Sequence, residues 1–269
     1  LIAVLRTEWA KTLRRPRTYV ALGFLMFIPS IVALALSLNP PGPDEGDRFF
    51  YVATQTGLLF PAAMLRILSR LALLVVLALF AGDAIAGEAS TGNLRYLLLR
   101  PIGRAKLLAA KLIVAVTLAL LAGIALMGAA TLAGGLAFGF EPIQFQPFFQ
   151  DQTVSNLFIH IGMSTGYVVW SLSSVVAFGF MISTMTDSPA AAAGSAVGLG
   201  ITSQILNEVE SLGAIRDFMP TRYLDAWVGL FWSDRVPDDM WHGLLQPLPF
   251  VLGFGVVAWW WFRRKDVLA

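Results

Sequence analysis

Apolar residues in this chain come in blocks of about twenty, the length that crosses ~30 Å of hydrocarbon at 1.5 Å per helical residue. Each block is closed by polar residues or a helix breaker. The pattern predicts six spans, at residues 17–38, 58–86, 107–136, 157–185, 189–206 and 243–262. Between the first two, the stretch from Asn39 to Asp47 holds three prolines and three acids, which cannot sit in lipid and must form a loop. Thr186-Asp187-Ser188-Pro189 joins the fourth and fifth spans tightly. Pro189 disfavours helix at Ser188 and fits the first turn of the next helix. The expected fold is an all-α integral membrane protein, a single transmembrane domain over residues 1–269.

Two segments have helical periodicity without spanning length. Over residues 1–15, Ile2, Leu5, Trp9 and Leu13 recur at spacings of three and four, with Arg6, Glu8, Lys11, Arg14 and Arg15 on other faces. That describes a helix lying in the membrane interface, with lipid as its partner. The apolar run after it is too long for a signal-peptide core and lacks a small-residue cleavage pattern. In the loop after the second span, Glu88, Ser90 and Thr91 suit a helix start, Leu94, Leu97 and Leu98 form one apolar stripe, and Pro101 with Gly103 stops the helix. A short amphipathic helix over 88–100 must lay that stripe on lipid or in a protein groove.

Composition narrows the class. With 57% hydrophobic and only 13% charged residues, the chain cannot dress a water-soluble surface. A net charge of +2 gives no reason to expect a nucleic-acid partner. The absence of cysteine removes disulfide and thiolate chemistry, and no His-Glu-x-x-His string occurs, so no metal site is expected. Charge also orients the spans. With the start of the chain inside, thirteen of the nineteen basic residues fall on the inner side and twelve of the seventeen acids on the outer. The positive-inside bias therefore predicts a multi-pass protein with both termini cytoplasmic. Trp241, Trp259, Trp260 and Trp261 sit near the ends of the last span as interfacial anchors.

Ionisable residues in spans are costly and invite a functional reading. Arg66 and Arg70 share a face in the outer half of the second span, either snorkelling or contacting an anionic group. Asp83, at its inner end, is expected to be solvated or paired with Lys106 or Lys111. In the outer segment 207–242, Leu224, Trp227, Val228 and Phe231 recur at helical spacing after Pro220-Thr221. That fits a gate formed by Trp227 and Phe231, or a structural cap. Gly194 and Gly198 form a small-residue pair suited to close helix packing, first within the subunit. Gly162-Met163-Ser164-Thr165-Gly166 matches the serine-hydrolase string, but within an apolar helical run rather than a strand-to-helix elbow. It leaves an intramembrane hydrolase as a remote alternative.

Glu88, Gly92 and Leu94, then Leu98-Leu99, Pro101, Arg104 and Lys111, together with the flanking helices, resemble the membrane subunits of type-two ATP-binding-cassette (ABC) exporters. The resemblance covers nearly the whole chain. It implies an elbow helix at 1–15, with Leu5, Trp9 and Leu13 on its apolar face, and short outer helices closing the pathway. It also implies a coupling helix at 88–100 that meets an ABC ATPase subunit through Glu88, Gly92, Leu94, Leu97, Leu98, Pro101 and Arg104. Asn93 departs from the small hydroxyl residue relatives often carry. Two permease subunits, identical or different, would enclose a pathway in the cell membrane, with Phe24, Met26, Phe27, Thr54 and Met64 as lining positions. These 269 residues contain no Gly-x-x-x-x-Gly-Lys-Ser/Thr loop, so ATP and Mg are expected on the partner and no cofactor on this chain. A subunit that passes ATPase motion to an outer partner without moving substrate itself is the other reading.

Overall fold

The computed structural model describes residues 2–42, 48–94, 103–140, 154–231 and 238–265. Among them every regular element is helical. α1 (Ile2–Leu13) breaks at Arg14–Arg15 into α2 (Pro16–Leu38), with Pro16 in the first turn and Thr18 Oγ1 donating to the Thr12 carbonyl at 3.0 Å. α3 (Arg48–Gln55) is a short helix that the sequence pattern did not predict. The second span is α4 (Phe60–Leu68), a π-helical turn (Ser69–Leu73) and α5 (Leu74–Ala89). α6 covers Arg104–Phe138, and α7 (Val154–Ser171) meets α8 (Ser173–Met185) at Leu172. α9 is Pro189–Glu208, followed by two 3₁₀ segments, Glu210–Phe218 and Ala226–Phe231. α10 (Asp238–Leu245) leads into α11 (Pro247–Arg264).

Burial separates interior from rim. The spans Phe60–Ala89 and Asn156–Met185 are 61% and 72% buried, against 17% for both Pro16–Leu38 and Asp238–Arg264. The two outer helices lie on the bundle's flanks, α2 against α6 and α11 against α8. They leave Phe24, Phe27, Leu252 and Val256 exposed, as a lipid-facing surface requires. Met64, by contrast, is in the core rather than on an open pathway.

Five helical stretches are long and apolar enough to cross a bilayer. α9, at 20 residues, has the length but not the apolarity, because Gly, Ala and Ser fill it. Its small residues serve packing on α5 and α8. A Cβ added to Gly82 of α5 would lie 2.6 Å from the Ala193 backbone nitrogen, and one on Gly179 of α8 would lie 3.0 Å from the Ala196 Cβ. The expected use of Gly194 and Gly198 is corrected here: both are exposed with nothing within 4 Å, and Ala192, Ala193, Ala196 and Gly200 form the packed face instead.

Gly82→Val should therefore force α5 and α9 apart at a cost of about 1–3 kcal/mol. Gly23→Ala, in open space on α2, should be neutral or slightly stabilising. Thermal unfolding in detergent checks both, and equal melting temperatures would contradict the close approach.

Candidate functional site at the α1 end of the bundle

Lys111 projects from α6 into a position where it is only 3% exposed. Such an ammonium must be paired and hydrogen-bonded to stay charged. Its Nζ lies 2.8 Å from Glu8 Oε2, 2.8 Å from Glu88 Oε2 and 3.0 Å from the Ala84 carbonyl. Glu8 and Lys11, three residues apart on α1, share one helix face. Lys11 Nζ reaches Glu8 Oε1 at 2.9 Å and Glu88 Oε1 at 3.1 Å. The result is a closed ring in which each carboxylate meets two ammoniums and each ammonium two carboxylates.

Electrostatics follow from that alternation. Burial alone would raise the Glu8 carboxyl, but the Lys111 charge and hydrogen bond, with Lys11 behind them, bring it below the usual 4.5. Burial would lower Lys11, but its hydrogen bond to Glu8 and the charges of Glu88 and Glu8 hold it above the usual 10.5. Beside the ring, Arg15 and Arg17 at the α1–α2 junction both pair with Asp83 of α5. The Asp83 carboxylate lies over the bare Cα of Gly87, where a side chain would collide with it.

The ring ties α1 to both legs of the loop between α5 and α6. Glu88 is in the last turn of α5, which ends at Ala89, and Lys111 is two turns into α6. This corrects the expectation that Glu88 begins a new helix: α5 runs through it, Gly92 turns the chain at φ +72°, and helix resumes at Asn93. Asn93 donates to Thr91 Oγ1 at 3.0 Å. Leu94 is 6% exposed and belongs to the chain's own core. Leu97, Leu98 and Pro101 lie outside the described residues. Arg104 caps α11, donating to the Arg263 carbonyl at 2.6 Å and the Lys265 carbonyl at 3.1 Å. Lys265 in turn pairs with Asp187 at 2.9 Å.

On α1 the expected faces are partly reversed. Ile2 and Leu13 are exposed, Leu5 and Trp9 half-buried, and Glu8 is the buried residue. Sequence reasoning passed over Glu8 and left Lys111 outside the site. The signal was the handful of acids on the basic side of the charge count. Of these, Glu8, Asp83, Glu88 and Asp187 are all ion-paired.

At the far end, Arg70 pairs with Asp225 and lies 4.0 Å from Glu208, so its own chain supplies the anionic groups. Gln204 donates to the Arg70 carbonyl at 2.9 Å, satisfying an acceptor in the π-helical turn. Arg66 is half-buried one turn earlier. Trp227 and Phe231 are 0% and 1% exposed, in edge contact within a cap. Hydrogen bonds fasten that cap: Tyr167 Oη to the Tyr223 carbonyl at 2.7 Å, Ser203 to Thr221 at 2.7 Å and Gln246 to the Asp217 carbonyl at 3.1 Å. Ser164 is fully buried in the middle of α7 and its Oγ has no hydrogen-bond partner among the described residues. A hydrolase nucleophile needs an adjacent base, so the hydrolase reading loses its geometric support.

These features define a multi-pass helical membrane protein whose first helix is locked by ion pairs to the end of α5 and the start of α6. The profile of the ABC-2 family transporter proteins matches residues 4–191, and the chain belongs to that family as a permease-type membrane subunit. The match runs from α1 to the start of α9 and contains the whole ionic ring. No curated protein matches the chain.

Lys111→Met should destabilise the protein by about 3–5 kcal/mol, because it strands two buried carboxylates. Its thermal melting in detergent measures this, and an unchanged midpoint would contradict the ring. The ring also sets a pH window. Glu8, depressed in the fold, contributes stability above its unfolded value that is lost as pH falls through its folded value, below 4.5. Lys11, raised in the fold, contributes below its unfolded value and loses that contribution as pH climbs past 10.5. A melting temperature that fell steeply between these limits in wild type, but not in a Glu8→Gln variant, would contradict the assignment.

Proposed function

We propose that this chain is the permease subunit of an ATP-driven exporter, with α9 as its sixth span and both termini in the cytoplasm. A separate ABC ATPase binds ATP and Mg and engages the loop between α5 and α6, and a second permease subunit completes the pathway. Family membership supports the transport class. The ionic ring is the observation that carries the coupling role: a load on the loop reaches α1, α5 and α6 together, because all three share buried charges there. The loop can then shift packed helices between discrete arrangements rather than deforming alone. Trp227 and Phe231 would act as an outer gate only if the cap lifts. The fastened cap also fits a second reading, in which the subunit passes motion to an outer partner.

Leu97→Asp and Leu98→Asp should leave insertion and ATPase association measurable but abolish nucleotide-dependent transport in reconstituted vesicles. Full export by either variant would refute docking through the leucine stripe. An ATPase stimulated by the permease without any export would favour the force-transmitting alternative.

A further inference from the structure

Next to the ring is an open cavity of about 230 Å³ between α1, α2, α5, α6 and the start of α9. Its walls change character in one direction. On α2 the lining passes from Arg17 to Ala21, on α5 from Asp83 to Leu79, and on α6 from Lys111 to Leu118. Those steps correspond to ~6–10 Å of helix. A bilayer passes from headgroups to chains over a similar depth, about 5–8 Å on each side.

Charge within the cavity is layered. The side chains of Glu8, Asp83 and Glu88 are 8%, 17% and 3% exposed, whereas those of Lys11, Arg15 and Arg17 are 38%, 27% and 52% exposed. The three carboxylates and Lys111 lie beneath, and Lys11, Arg15 and Arg17 are the more exposed charges. Arg15 and Arg17 each bring one terminal nitrogen to Asp83, and a guanidinium has five donors, so N–H groups remain for a ligand. The volume is below the ~300–1,000 Å³ that encloses a whole drug-sized molecule. It suits the head end of an amphiphile whose remainder stays in the bilayer.

We infer that this cavity binds the phosphate of an anionic glycerophospholipid, with Lys11, Arg15 and Arg17 around the phosphate oxygens. The first part of an acyl chain runs along Leu79, Val114 and Leu118. Phosphate is also the chemistry of a free anion, but a free anion would leave Leu79, 46% exposed at the apolar end of the cavity, without a partner. The cavity shares Glu8, Lys11, Glu88 and Lys111 with the ionic ring, but lipid binding there does not depend on transport direction.

The test is native mass spectrometry of the purified full chain titrated with dioleoylphosphatidylglycerol, dioleoylphosphatidylcholine and chain-free glycerol phosphate. Wild type should hold phosphatidylglycerol about tenfold more tightly than phosphatidylcholine, and an Arg15→Gln/Arg17→Gln variant should lose that preference. Leu79→Trp, which keeps every charge and fills the apolar part, should weaken both lipids while the protein still melts cooperatively. It keeps the proposal testable if the arginine variant fails to fold. Equal retention of the two lipids by wild type, or phosphatidylglycerol binding unchanged by Leu79→Trp, would overturn the inference. Glycerol phosphate binding as tightly as the lipid would assign the site to a free phosphate instead.

Discussion

A neutral ring of four charges, the buried Glu8, Glu88 and Lys111 closed by the half-exposed Lys11, is the constraint on which the α1 end of this protein depends. None of its buried members is tolerable alone, since an unpaired ion away from water costs several kcal/mol. The ring therefore exists only when α1, the end of α5 and the start of α6 are all in place. That requirement explains why α1 turns a polar residue inward and leaves Ile2 and Leu13 outward. It also holds the end of α5 beside the start of α6.

The two ends of the bundle are held by different chemistry. At the α1 end, ion pairs join the elements, continuing from the ring through Asp83 to Arg15 and Arg17, and separately through Lys265 and Asp187. At the far end, the linkage is mainly side-chain hydrogen bonds around the cap, as with Tyr167 to Tyr223 and Trp170 to Leu244, the latter at 2.8 Å. Charge pairing tolerates small changes in separation because its energy falls slowly with distance, whereas hydrogen bonds weaken steeply once geometry is lost.

Much of the fold was legible in the sequence, because a bilayer imposes a block length that no other environment demands. The tight turn at Thr186–Pro189 and the closing segments followed from prolines and charges with the same clarity. What escaped had weaker local signals. α3 follows an acidic, proline-rich stretch. α9 was expected as a span at 189–206 and is a helix over Pro189–Glu208, but the pattern did not show which of its small residues pack on α5. Glu88 resembled a helix start because acids favour first turns, yet here its partner is Lys111, twenty-three positions away. On α1, amphipathic periodicity separates faces but does not say which face meets the protein. Glu8 is polar and buried because its partners come from α1 itself and from α6, a pairing local pattern does not register.

The ring fixes α1 against the base of the α5–α6 loop. The chain has no cysteine, so spin labels can be placed at Thr7 and Ser90, both exposed, without background. Pulsed electron paramagnetic resonance should give one narrow distance distribution in the intact protein and a broad or shifted one when Lys111 is replaced by Met. A distribution equally narrow and unshifted in the variant would contradict the claim.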